Sequence, residues 1–277
     1  GALRFTGTYG LTARSVTNSG AAAFDIASGL AAFIGPVTGP GALTKNGAGI
    51  LVLGGTNTYG GGTVVLGGML ALSSSNAVST GPVAITGGTV VVSSGPSQTN
   101  WYSPVSATTI GPGGVLSVDD GWTGIRGLTL AGGILAGLHP DGTNGTWSFN
   151  TASATDPIVV MGNATSTISA LKFDSAYGND LVLNVDSNSM LKITGTIGGN
   201  PGHPVFGVTK TGAGVMTLSG GNAYSGATTI GAGVFSGMSA AEADDVKPIA
   251  ATVASSAYWK RRMMSPTGYA PSAKGRG

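Results

Sequence analysis

The chain has 277 residues, of which 50 are glycine and none is cysteine; 9% are charged, 6% aromatic and 41% apolar. Few charges beside this much apolar content exclude a disordered polyelectrolyte. Abundant glycine without a Gly-X-Y period excludes collagen, and it disfavours long helices, where each Gly costs about 1 kcal/mol against Ala. Zero cysteine removes disulfides, thiolate catalysis and Cys-based zinc sites. The charge is uneven: residues 1–237 hold seven basic and eight acidic residues, residues 238–277 six basic and three acidic. The body is therefore nearly neutral and cannot present the basic face that nucleic acid requires. No run of ~18 apolar residues is present, so no transmembrane helix is encoded. The sequence opens at Gly1 without an initiator Met or an apolar leader, and the expectation is a processed chain or a fragment.

The first strong pattern is Leu43-Thr-Lys-Asn-Gly-Ala-Gly-Ile-Leu-Val-Leu, continuing through Asn57, Tyr59, Thr63 and Gly68 to Leu72. It returns from Val208 as Val-Thr-Lys-Thr-Gly-Ala-Gly-Val-Met-Thr-Leu, continuing through Asn222, Tyr224, Thr228 and Gly233 to Phe235. Every matched position differs by one offset, Lys45 with Lys210, Tyr59 with Tyr224 and Gly68 with Gly233. The match reaches back to Phe24-Asp-Ile-Ala-Ser-Gly-Leu and Leu183-Asn-Val-Asp-Ser-Asn-Ser-Met. Phe24 to Lys45 is 21 residues and Leu183 to Lys210 is 27, so the second copy carries six extra, assigned to Gly199–Phe206. A Gly/Pro-rich surface loop tolerates such a change.

Between the copies a shorter phrase recurs, a glycine pair followed by alternating apolar residues, at Gly67-Gly68, Gly87-Gly88, Gly113-Gly114 and Gly132-Gly133. The second glycines step by 20, 26 and 19 residues, close to one turn of a parallel β-solenoid with short strands and tight corners. The fold class expected is all-β, a single-stranded parallel β-helix with short loop insertions. One turn cannot bury its inward side chains, but a stack can, each turn bonding its backbone to those above and below. Leu51, Leu53 and the parity of Val115 are expected to face inward. Gly47, Gly49, Gly212 and Gly214 are expected at corners needing positive φ or close backbone approach. Asn57 and Asn222 fit corner positions of left-handed geometry. If residues 1–237 are solenoid, about ten turns and a rod of ~50 Å follow. Residues 97–112 and 137–157 break the rhythm and read as insertions or long corners. Residues 238–277 read as a flexible basic tail with little regular structure.

The phrase Leu-Thr-Lys-x-Gly-Ala-Gly-x-Leu-x-Leu-x-Gly-x-Asn-x-Tyr-x-Gly-x-Thr resembles the autotransporter-associated β-strand repeat, matched over 43–72 and 208–235. The resemblance implies a right-handed parallel β-helix at the extracellular or outer-membrane surface of a bacterium, serving as adhesin, stalk or scaffold. Its partners would be a host-cell or matrix surface or a glycan, and the membrane only through a barrel or anchor. Two departures stand out: the strands of a membrane barrel do not follow Phe235, and the usual asparagine before the final Gly-x-Leu is replaced, by Leu66-Gly67 and Gly231-Ala232.

Parallel β-helices also host polysaccharide lyases and hydrolases. The candidates for such chemistry are Asp119 and Asp120, with Asp141 about one turn later and Arg126 nearby, acting as acid and base on a glycosidic bond or holding calcium. Asp-Gly pairs at 120–121 and 141–142 are equally ordinary turn dipeptides, and the chain has one glutamate. Trp101, Tyr102, Trp122 and Trp147 could stack on sugars or anchor a partner; closing insertions against the solenoid wall is the simpler reading. His139 and His203 precede prolines in inserted loops, without partners at metal-ligand spacing. Lys260-Arg261-Arg262 reads as solvated charge. The sequence therefore reads as a structural segment without cofactor or metal. The alternatives are a polysaccharide-active enzyme, or a fibre subunit whose unpaired end strands stack end to end.

Overall fold

The computed structural model describes residues 1–74, 77–78, 81–93, 107–120, 122–137, 146–149, 156–170, 172–175, 179–198, 206–237 and 246–248. Among these every regular element is a β-strand and every strand pair is parallel. The strands sort into three faces of one solenoid. The first face is a twelve-stranded sheet running from Ala2–Phe5 through Leu43–Asn46 and Val208–Thr211 to Val246–Pro248. The second is an eleven-stranded sheet from Tyr9–Thr12 through Ile50–Leu53 to Val234–Ser236. The third is discontinuous, with two strands near the start (Val16–Thr17, Val37–Thr38) and four later, from Trp122–Ile125 to Thr196–Ile197. At ~4.8 Å per step, twelve stacked strands make a column of roughly 50 Å.

Alternation within each strand decides which side chains fill the column. On the first face Phe24, Lys45, Val65, Ile85, Ile110, Leu130 and Val160 align one above another, and all are buried. On the second face Ala31, Leu51, Leu70, Val90, Leu116 and Leu135 do the same. A single rung would leave these side chains wet; the stack removes them from water at ~25 cal/mol per Å2 of apolar surface.

Glycine placement follows from the corners. Gly47 and Gly212 adopt φ of 74° and 73°, the left-handed region that costs other residues roughly 1–2 kcal/mol. Gly49 has an ordinary φ, but a Cβ there would meet the Ile26 side chain at 2.6 Å and the Gly29 carbonyl at 2.8 Å. Both reasons given for corner glycines thus operate, at different members of the same Gly-Ala-Gly.

Three expectations change. Val115 points outward and is only partly covered, while Leu116 and Val118 are the large apolar side chains that Gly114–Asp120 buries; the Gly113 turn, with φ of 75°, sets a parity that the spacing alone leaves open. Asn57 and Asn222 are not left-handed, since among the described residues the non-glycines with positive φ are Asn163 and Asn188. Nor are 97–112 and 137–157 wholly insertions: Thr108–Ile110 is a regular first-face strand and Thr146–Phe149 a third-face strand. Polar strands on a less apolar face hide from a search for alternating aliphatics. In the C-terminal stretch, Val246–Pro248 pairs with Thr228–Ile230; the rest of 238–277 and all of 199–205 lie outside the described residues.

The parity assignment has a direct check. Leu116→Ala is expected to cost about 2–5 kcal/mol by urea unfolding, whereas Val115→Ala, one residue away, is expected to cost less than about 1 kcal/mol.

Candidate functional site

The shared residues of the two copies are the natural candidates, and the fold turns them toward the chain's own backbone. Lys45 sits at an inward position of the first face between Phe24 and Val65 and is fully buried. Its stem extends along the apolar column and its Nζ reaches the corner between the first and second faces. There it donates to the carbonyls of Asn46 at 2.7 Å, Gly47 at 2.8 Å and, one rung on, Gly67 at 3.1 Å. Lys210 repeats this with Thr211 at 3.1 Å, Gly212 at 2.8 Å and Ala232 at 2.9 Å. An ammonium has three protons to donate and each finds a carbonyl. These carbonyls lie where the chain bends out of the inter-rung ladder, so lysine supplies what the next backbone cannot.

Burial lowers the pKa of both lysines. That of Lys210 falls from 10.5 to about 8; that of Lys45 also falls, with the nearby Asp25 carboxylate pulling partly the other way. Asp25 is itself paired with Arg4 at 3.3 Å.

The asparagines bridge rungs along the third face. Asn57 Oδ1 accepts from the Val37 N–H at 2.7 Å, Asn57 Nδ2 donates to the Ala77 carbonyl, and the Thr58 N–H donates to the Val37 carbonyl at 2.9 Å. The amide stands in for backbone where the regular ladder of this face lapses. In the second copy Asn222 Oδ1 accepts from Ile197 N–H at 3.4 Å, and Ala223 N–H donates to Ile197 O at 2.8 Å. Two residues on, the Tyr59 hydroxyl bonds Thr63 Oγ1 at 2.6 Å and the Tyr224 hydroxyl bonds Thr228 Oγ1 at 2.8 Å. Thr63 and Thr228 face inward in the first-face stack, so each tyrosine satisfies a buried hydroxyl while filling the corner.

Residues 43–72 and 208–236 match the passenger-associated-transport-repeat family. The two transport repeats cover about a fifth of the chain, and their matched spans contain the Lys, Asn and Tyr/Thr units just described. No curated protein and no solved structure matches the chain.

Outside the transport repeats, the described residues place two of the sequence-derived catalytic candidates, Asp119 and Arg126, apart from one another. Asp119 is partly exposed near the end of the second-face strand Gly114–Asp120, and Asp120 belongs to the same strand. Arg126 is exposed at the corner after Trp122–Ile125, before Leu128–Leu130 of the first face. A four-residue third-face strand, ~13 Å long, therefore lies between Asp119 and Arg126. Asp141, Trp101, Tyr102, His139 and His203 lie outside the described residues, and Trp122 is placed only by its backbone in Trp122–Ile125. Trp147 is corrected from a binding candidate to a core residue: it is fully buried and its Nε1 donates to the Ala136 carbonyl at 2.6 Å. Among the described residues no three His, Cys, Asp or Glu side chains are grouped to hold a metal ion.

Two predictions follow from the internal polar groups. A lysine of lowered folded pKa makes the unfolded chain the tighter proton binder, so stability rises with pH between the two values. For Lys210 that gain is complete above the ordinary 10.5 and lost as pH falls through about 8. Urea midpoints measured across this window should climb in the parent and climb less in Lys210→Met. Thr108 shares the Thr63 column but has no tyrosine partner, and its Oγ1 is buried and unbonded. Thr108→Val should stabilise the fold by about 1 kcal/mol, whereas Thr63→Val, which removes the hydroxyl that bonds Tyr59, should destabilise it by about 1 kcal/mol.

Proposed function

We propose that this chain is a non-enzymatic passenger segment of a bacterial secreted or outer-membrane surface protein, acting as a stiff stalk or scaffold that can carry adhesive surfaces. The observation that supports this most is the fate of the transport-repeat residues. Lys45, Lys210, Asn57 and Asn222 direct polar atoms at neighbouring rungs, and Tyr59 and Tyr224 bond threonines at their own corners, so these groups serve the column itself. A column of parallel rungs resists bending because each rung is bonded along its length to the next, and this suits a spacer between a surface and what it displays. The family match supports export to the cell surface, the setting in which passenger repeats occur.

The polysaccharide-active alternative depends on Asp119 and Asp120, with Asp141 and Arg126, acting together; the placement of Asp119 and Arg126 at opposite ends of a third-face strand argues against those two sharing one substrate. The purified chain, incubated with a panel of acidic and neutral polysaccharides, is expected to leave all of them uncut, while small-angle scattering is expected to report a rod with a long axis of at least roughly 50 Å. Cleavage that disappears in Asp119→Ala would replace the stalk reading with the enzymatic one.

A further inference from the structure

No further inference is drawn: the strongest candidate, the uncovered first rung of the column, where Leu3 and Tyr9 stand exposed at positions that the next rung buries, carries nothing, because nothing in the structure shows what covers it.

Discussion

A parallel solenoid spends its backbone hydrogen bonds along its axis, and the constraint this leaves is at the corners. At the two corners that the repeat lysines close, carbonyls leave the inter-rung ladder and are met by a buried ammonium instead. An unpaired buried carbonyl costs about 1–3 kcal/mol, and a column of many corners accumulates that cost quickly. The transport repeat meets it with side chains: a lysine ammonium for three carbonyls, an asparagine amide for a missing strand pair, and a tyrosine hydroxyl for an inward threonine. Each of these groups reaches the adjacent rung or its own corner, so the repeat binds neighbouring rungs to one another.

Burying an ammonium is itself expensive, and the depressed pKa of Lys210 records that expense. The arrangement gives positional information in exchange. Rungs of about twenty residues resemble one another closely, and a chain that slipped by one rung would still place aliphatic residues against aliphatic residues. A slipped Lys45 or Lys210 would instead set a charge in the apolar column without its three carbonyls. Specificity from a buried polar group is best attested where register is at stake. Two such keys, one near each end of the described stack, penalise slipped pairings that hydrophobicity alone would accept.

Much of the architecture was legible because its cause is periodic. The repeated glycine pairs mark corners, the spacing between them measures a rung, and alternation of aliphatic residues names the faces. Leu51 and Leu53 lie inward as that alternation implies. The reading of Val115 failed because a period of two has two phases, and only the Gly113 turn decides between them. Thr146–Phe149 went unread as a strand because its two neighbours in the third face, Trp122–Ile125 and Lys172–Ser175, are sequence-distant segments with no shared phrase. The candidate site was legible as a set of residues and illegible in its role. Lys, Asn, Tyr and Thr at fixed spacing are the residue types of binding and catalysis as much as of internal bonding. Their direction relative to the column separates the two, and parity assigns Lys45 to the interior only once the register with Phe24 and Val65 is fixed. Trp147 stood open between sugar stacking and packing on the solenoid wall for the same reason, since its burial depends on third-face packing rather than on local sequence.

The central claim is that both repeat lysines are held as buried, fully bonded ammonium groups at the corners. Nitrogen-15 NMR of side-chain ammonium protons, recorded below pH 8 with carbonyl-13C labelling, addresses it most directly. The account predicts two slowly exchanging ammonium signals with hydrogen-bond couplings to corner carbonyls, those of Gly67 and Ala232 among them. Lysine signals that all exchange as fast as those of a free side chain, with no coupling to any carbonyl, would contradict it.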